Sequence, residues 1–574
     1  MKALEIFIYS ILIDNSKKRL LMIIVALAFF GSLMMFPSKL VLAKMLPGKS
    51  DNTFSIYVDT PTGSSIEETK KVTTCVVNRL VKEKEVLNIE LFLGHGIPLD
   101  YAGLVKGSSM KMSENVAEIS VNLTDKHHRS EPSFLMTQRL RPILNKECSV
   151  LIKDTNIKLI EQPAGPPTLA SIVVEVYGEK RDKLREISVK VANILSKTEG
   201  LVDVDVMLDE KFSKYELIPD KEKISRSALS ISQVNQILYL AFEGMIISSK
   251  NSKDTSDQIG IFLVLSDDTK KIAENNKGAL QSKLSSLNLM NQKGMMVPLS
   301  EVVTIKKADS TPMIMHKDLR RMVNIIAETD MVSQVYPLLA AREEFIKQFA
   351  DKYEVTPVAG ITTYMFDLNL VDKKTGEEYL LRWDGEMKVT LDTFRDLGGA
   401  FITALILIFL LLVIYYKSFA LSGIILLGSF LSLIGVIVGH WVADLVTTET
   451  FFLTATSLIG FIALMGISSR NSLLLIDFAM SLIEEHGMEK KHAISVAAAT
   501  RAKPIMLTAV AIMLGSALLA SDPVFGGLGV ALISGTVAAV FVSLLFVPVL
   551  MDNTKAMDLK KSTKHDIEHI SITR

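Results

Sequence analysis

Two arginines and a threonine stand where an apolar chain makes polar groups costly. Arg470 follows the uncharged run Phe451–Ser469 and precedes the apolar hexad Asn471–Ile476. A guanidinium at the centre of a bilayer costs at least ~2.5 kcal/mol unless it faces a protein interior, a wet cavity or an acid. The bland alternative ends the span at Arg470 and lets its side chain snorkel to the interface. Arginine does not release its proton near neutral pH, so the residue suits an electrostatic partner better than a proton carrier. Arg501 and Thr508 are seven residues apart, two helical turns, and share one helical face. Their bland reading makes Arg501 and Lys503 the basic cytoplasmic flank of a span beginning at Pro504. Asp477 also lies seven residues from Arg470, about 10 Å by helical rise. That is too far for a direct pair, and Asp477 is expected to cap the cytoplasmic helix end.

These residues need membrane helices to hold them, and the composition supplies them unevenly. The 574 residues are 49% hydrophobic and 22% charged, with a mean hydropathy of +0.32, a mixture of two unlike populations. Uncharged runs long enough to cross a bilayer occur at Leu20–Ser38, Leu397–Tyr416, Ser418–Gly439, Phe451–Ser469, Pro504–Ser521 and Pro523–Met551. Six spans are expected, one near the N-terminus and five grouped at the end. The first run exceeds a signal-peptide core and reads as a retained span, after an apolar, interfacial stretch Ala3–Ile13. Lys17, Lys18 and Arg19 put the N-terminus inside. The loop Ser481–Lys503 and a tail with Lys555, Lys560, Lys561, Lys564 and Arg574 then also fall inside, and the polar block from Lys39 to Asp396 outside. The small residues Gly526, Gly527, Gly529, Gly535 and Ala539 would let the last span pack closely.

The outside block alternates strands and helices. Thr53–Val58 opens it, a helix Ser64–Lys84 follows with Ser64 and Ser65 as N-cap candidates, and Val86–Leu93, Val116–Leu123, Glu131–Cys148 and Leu159–Ile160 complete a β-α-β-β-α-β order. Gln162–Pro167 reads as a linker. A second cycle starts with Ser171–Tyr177, a helix carrying Leu184, Ile187, Val191 and Ile194, and Leu201–Val206. An irregular stretch, about Phe212 to Gly294, interrupts it before Val297–Ile305, Met322–Ala327, helix Val332–Phe349 and strand Tyr353–Val358. The expected organisation is 1–19 cytoplasmic or interfacial, 20–38 first span, 39–163 first module, 168–210 and 297–360 second module, 211–296 insertion, 361–396 connector, 397–551 five spans and 552–574 tail.

Other chemistry finds little support. Lys+Arg and Asp+Glu are both 63, which gives no basis for nucleic-acid binding. No nucleotide-binding loop, nucleophile constellation or metal-ligand cluster is evident. Met110 with Met112, and Met313 with Met315, suit strand packing better than soft-metal transport, and His127-His128 reads as surface. Cys75 and Cys148, the chain's two cysteines, both fall on expected helices outside the membrane, where a disulfide is open but unsupported.

The plan of one span, an outside pair of modules and five spans resembles the C-terminal half of a resistance-nodulation-division (RND) efflux transporter of the drug-exporting branch. Val58-Asp-Thr-Pro-Thr-Gly63 running on to Thr69 is similar to that family's opening of its first porter module. Pro298–Val303 with Arg320–Val323 resembles the return strands of the second. GISSRNSLLLIDFA (Gly466–Ala479) and RAKPIMLT (Arg501–Thr508) resemble the fourth and fifth helices of that half. The resemblance implies an α-helical membrane protein with a periplasmic α+β porter region and an inserted docking subdomain. It implies a proton relay of Arg470, Arg501 and Thr508, with Asn471, Asp477 and Lys503 in support, and Arg470 standing where drug exporters carry a lysine.

No span here carries the acidic pair of the family's first half, so a complementary chain would have to supply it. The implied protein is a secondary active transporter rather than an enzyme, without cofactor, driven by the proton-motive force. It would be a half-subunit of a trimeric bacterial inner-membrane pump, with a periplasmic adaptor and an outer-membrane channel, and hydrophobic or amphiphilic cargo. The alternatives are a scaffold half that has lost transport, or an RND relative moving lipids or assisting protein export.

Overall fold

The computed structural model describes residues 2–46, 50–98, 101–108, 111–161, 165, 168–208, 212–266, 277–310, 312–329, 333–358, 366–447 and 451–557. The Gln162–Pro167 linker, apart from Gly165, and the basic tail beyond residue 557 lie outside the described residues. The chain divides into two compact units, residues 1–208 with 314–574, and residues 209–313.

The first unit opens with helices α1 (Lys2–Ile13) and α2 (Asn15–Met34). In α1, Ile8 and Leu12 are buried while Ile6, Phe7 and Ile13 are exposed, an apolar surface suited to the bilayer interface. Asp14 caps α2 by accepting the Ser16 N–H at 2.9 Å. α2 covers the expected first span Leu20–Ser38 only as far as Met34, and its opening carries Lys17, Lys18 and Arg19.

The first module comprises β1 (Thr53–Asp59), α3 (Ile66–Leu80), β2 (Val86–His95), α4 (Tyr101–Lys106), β3 (Met112–Leu123), α5 (Ser133–Glu147) and β4 (Asn156–Glu161). Its sheet runs β2-β3-β1-β4, antiparallel throughout. Ser65 starts α3 through a reciprocal capping box with Glu68, satisfying two otherwise orphaned N–H groups. Val72, Val76 and Leu80 on α3 and Met136, Leu140 and Leu144 on α5 bury against Ile56, Ile119 and Val121 of the sheet. The two cysteines meet here: Cys75 of α3 is bonded to Cys148, just past α5, with Cα atoms 5.7 Å apart. A pairing that the sequence left unsupported is therefore formed.

The second module starts with β5 (Ile172–Tyr177), α6 (Arg181–Leu195) and β6 (Leu201–Val206). The inserted unit then contains β7 (Ser213–Pro219), α7 (Lys221–Arg226), α8 (Ile231–Phe242), β8 (Met245–Lys250), β9 (Ile259–Leu263), α9 (Lys277–Ser286), β10 (Asn288–Met290), β11 (Met296–Pro298) and β12 (Val303–Asp309). Its end corrects the expected boundary at 296/297. Val297–Ile305 is not a strand of the second module. β12 pairs with β7, and Val303 and Ile305 pack with Ile224, Leu229 and Leu284 inside the insertion.

The second module resumes with β13 (Met315–Lys317), β14 (Arg320–Thr329), α10 (Val335–Phe349), β15 (Tyr353–Pro357), β16 (Leu368–Asp372) and β17 (Glu378–Asp384). The sheet order is β13-β14-β5-β17-β16-β15, with β6 also on β14. One expectation fails here: 361–396 is not merely a connector, and Tyr353–Val358 is not the last strand of the module. β17 takes the place beside β5, because its alternate residues Tyr379, Leu381 and Trp383 are buried in the module core, and β15 is displaced to the edge.

The membrane region consists of α11 (Glu386–Tyr416), α12 (Phe419–Phe430), α13 (Leu433–Val446), α14 (Ala455–Glu484), α15 (Lys490–Ala520), α16 (Gly526–Phe541), a π turn Val542–Phe546 and α17 (Val547–Asn553). Among the described residues five stretches are long and apolar enough to span a membrane: Glu386–Tyr416, Phe419–Val446, Ala455–Glu484, Lys490–Ala520 and Gly526–Asn553. Helices exceed the expected runs at several ends. α11 begins eleven residues before Leu397, and α13 continues past Gly439. The expected loop Ser481–Lys503 is mostly helix, because Ala493, Ile494, Ala497 and Ala498 bury in the same cluster as Ile8 and Leu12 of α1. Close packing passes through small residues as expected: a Cβ on Gly535 would stand 2.2 Å from Leu464 Cδ2.

Candidate ion-relay face of the membrane helices

Arg470 lies at the middle of α14, which runs unbroken for 14 residues beyond it to Glu484. The helix therefore does not end at Arg470. Its side chain sits in a column of exposed residues, Ile459, Ala463, Gly466, Arg470 and Leu474, spaced by three and four along one helical face. A Cβ on Gly466 would meet nothing within 4 Å. Among the described residues Arg470 has neither hydrogen bond nor ion pair. Asn471, the next residue, is buried.

Arg501 lies within α15, eleven residues after its start, and is half-buried. Its guanidinium carbon stands 5.2 Å from the Phe478 ring centroid of α14, a cation–π contact joining the two helices. The same guanidinium keeps its Nε buried without a partner. Thr508 is exposed two turns on and donates back to its own helix, to Pro504 O at 3.1 Å and Ile505 O at 2.9 Å. It therefore does not bond Arg501. Pro504, Thr508, Ala511, Gly515 and Leu518 form an exposed column on α15, and Lys503 is exposed as well.

Asp477 corrects its expected role. The helix continues to Glu484, so Asp477 is no cap. Instead it accepts the Tyr416 hydroxyl at 2.6 Å, tying the end of α11 to α14. Lys18 of α2 pairs with Asp552 of α17. Lys18 is thus neutralised from within, whereas Arg470 has no such partner among the described residues.

Sequence reasoning missed two further features. The π turn places Ser543 3.4 Å from Ser472, two residues after Arg470. Buried ion pairs also join the two modules. Lys106 Nζ is 2.6 Å from Glu328, Arg141 Nε 3.1 Å from Asp203, and Lys158 Nζ 2.5 Å from Asp205 and 2.7 Å from Asp59. Burial raises the Asp59 carboxyl, but the ammonium groups of Lys158 and Lys111 outweigh it and bring it to about 2. For Asp203 burial wins over Arg141, and its pKa stands above the usual carboxylate range.

Membrane-length helices continuous with two α+β modules, and an open cationic helix face, define a multi-pass membrane protein with a large extramembrane region. A family model described as the AcrB/AcrD/AcrF family matches residues 9–362 and 366–552, and the chain belongs to that family. It is 24% identical over 554 residues to the swarming motility protein SwrC of Bacillus subtilis (strain 168), spanning 94% of this chain and 46% of SwrC. It is 23% identical over 443 residues to the multidrug resistance protein MdtC of Yersinia enterocolitica, spanning 76% of this chain and 39% of MdtC. A crystal structure of a heavy metal efflux pump superposes with a TM-score of 0.69 at 18% identity, covering 95% of this chain and 51% of the pump. At that identity the likeness establishes the fold. The chain spans about half the length of these relatives or less.

Proposed function

We propose that this chain is one half of a proton-driven RND efflux permease of the bacterial inner membrane, contributing Arg470, Arg501 and Thr508 to a proton relay. In this reading α2 is the sixth span, the modules face the periplasm, and the insertion is a docking subdomain. The carrying observation is Arg470: a permanent cation at mid-helix, without a counter-ion among the described residues, on an open face of α14. Such a charge is tolerable in a bilayer when an acid from a second set of helices covers it. The acid pair would belong to a complementary six-helix half, on this polypeptide or on another.

The mechanism follows from charge. While the partner acids are ionised they hold Arg470 and the half-buried Arg501. Proton uptake neutralises them, weakens the hold and shifts the helices, a two-state equilibrium biased by charge. Asn471, Asp477 and Lys503 act around the relay, Asp477 by fixing α11 to α14 through Tyr416. The modules respond by opening and closing a cleft. The assembly would be trimeric, with an adaptor and an outer-membrane channel, and no cofactor beyond the proton-motive force. Hydrophobic or amphiphilic compounds are the proposed cargo, on the likeness of the Gly466–Ala479 and Arg501–Thr508 stretches to drug exporters.

The test is export by cells carrying the chain and its complementary half, challenged separately with a hydrophobic dye and with cobalt, zinc and cadmium salts. Arg470→Ala should abolish dye export with assembly intact; retained export would sink the relay role. Protection against the metals alone would overturn the cargo assignment.

A further inference from the structure

The end of the membrane bundle remote from the Lys18–Asp552 pair holds a titratable side chain that the relay does not use. His440 of α13 is fully buried. Its Nδ1 stands 2.7 Å from Val436 O, and its Nε2 stands 2.8 Å from Ser457 Oγ. A carbonyl oxygen only accepts, so Nδ1 carries the hydrogen, and in neutral histidine Nε2 then accepts from the Ser457 hydroxyl. Beyond Ser457 the hydroxyls continue. Ser457 Oγ is 3.0 Å from Thr454 Oγ1, which is 2.8 Å from Thr456 Oγ1, which donates to Val524 O at 3.2 Å.

This chain has four links and three hydroxyl hydrogens. With neutral His440 the Ser457–Thr454 link lacks its hydrogen. Both oxygens there are instead satisfied by main-chain donors, Thr454 N–H to Ser457 at 3.0 Å and Ser457 N–H to Thr454 at 3.3 Å. One added proton fills every link. His440 Nε2–H then donates to Ser457, Ser457 to Thr454, Thr454 to Thr456, and Thr456 keeps its bond to Val524. The step gains one proton and rotates one hydroxyl, that of Ser457, and the Thr454–Thr456 and Thr456–Val524 bonds are unchanged.

We propose that His440, with Ser457, Thr454 and Thr456, is a proton-binding site of the membrane region separate from the Arg470 face, and that its occupancy controls how α14 is tied to the second module. The tie is continuous. Thr454 is the N-cap of α14. Around it Leu453 N–H donates to Leu42 O at 2.8 Å, Lys44 N–H to Leu453 O at 3.1 Å and Ala455 N–H to Met45 O at 3.1 Å. On the same strip Ala43 O accepts the Ser333 hydroxyl at the start of α10, and Phe36 O accepts the Tyr336 hydroxyl at 2.8 Å.

An imidazolium here would face the positive end of α14, where a cation is disfavoured. The charged groups around it are few. Asp444, one turn along α13, accepts the Phe451 N–H at 2.7 Å. Asp522 accepts from Val524 and Phe525, each at 2.8 Å. Lys44 lies 5.5 Å from the Phe452 ring. α16 and the apolar part of α2 carry no charge, α14 none before Arg470, and Glu449 lies outside the described residues. A bound proton therefore favours an arrangement in which the α14 N-cap and the 36–45 strip separate.

The experiment uses the full chain in lipid nanodiscs, 15N-labelled at its nine histidines, with His440→Asn identifying the signal by difference. Expected at neutral pH is the Nδ1–H tautomer. Lowering the pH should convert it to imidazolium while amide exchange of segments 451–458 and 333–337, corrected for intrinsic rate, rises about tenfold or more, a shift equivalent to one pKa unit. His440→Asn should abolish that rise, and the near-isosteric Thr456→Val should weaken it about tenfold by removing one link. The opposite tautomer, a His440 that stays neutral while other histidines titrate, or exchange that ignores its charge would each overturn the proposal. None of these readouts depends on Arg470, so the relay and this site fail separately.

Discussion

Glu328 is the place to ask whether the buried ion pairs between the modules act as a latch. Its carboxylate, on β14 of the second module, accepts Lys106 Nζ of the first at 2.6 Å. It also accepts the Ser171 N–H at 3.1 Å and the Ser171 hydroxyl at 2.5 Å. Burial alone would raise its pKa, yet Lys106 and Ser171 hold it below the usual range. Glu328→Ala leaves the Lys106 ammonium, whose side chain is 9% exposed, buried without its acid. Breaking such a pair costs roughly 3–5 kcal/mol. If the modules separate, Lys106 regains water and most of that cost disappears. The substitution therefore moves the closed–open equilibrium toward open by up to two or three powers of ten, at about 1.4 kcal/mol for each. Spin labels at Lys146→Cys and Lys197→Cys, both exposed, report the separation, since the disulfide removes the native cysteines from labelling. The expected result is a longer, broader distance distribution for Glu328→Ala, partly restored by Lys106→Met in the same chain. An unchanged distribution with a lower unfolding midpoint would refute the latch and leave the pair a static contact.

Asp367 is 3% exposed and accepts the Trp383 N–H at 2.9 Å. Burial raises its pKa to about 6, so the folded state favours the proton, and stability present below about pH 4 is lost as pH rises to about 6. Asp367→Asn keeps the acceptor and should stabilise the chain by up to about 3 kcal/mol at pH 7 and not at pH 4, read by tryptophan fluorescence in denaturant; a pH-independent effect would contradict the assignment. The Cys75–Cys148 bond closes a loop with a sequence separation of 73, worth roughly 4 kcal/mol of unfolded-chain entropy. In chains purified from cells, maleimide should label neither cysteine before reduction and both after. Labelling without reductant would place the first module in a reducing compartment and reverse the proposed topology.

What the sequence discloses divides along local and non-local lines. The Ser65 N-cap, the strand at Thr53–Val58 and the segregation of apolar runs are local, and each survives in the structure. β17 was locally legible as well, since Tyr379, Leu381 and Trp383 alternate with Glu378, Leu380 and Arg382. Its pairing with β5, some two hundred residues earlier, was not, because nothing local ranks it above β15. The same limit hid the bond from Tyr416 to Asp477 and the placement of Arg141 against Asp203. His440 was visible as an ionisable residue directly after an apolar run. It stands one residue beyond the expected end of that run at Gly439, where the sequence alone gives it no partner.

The contrast between Arg470 and the other membrane ions carries the functional argument one step further. Lys18 has Asp552, Asp477 has Tyr416, and Arg501 at least has the face of Phe478. Each of these charged groups meets a side chain of this chain. Arg470 sits near the middle of its helix, where an internal partner would matter most, and has none among the described residues. If stability alone had shaped α14, an apolar residue at 470 would pack as well on an open face and avoid the desolvation cost. The open face and the uncompensated charge are thus one observation. In the proposed relay this surface would be completed from outside, and its energy would vary with whatever sets the charge of the acids placed against it.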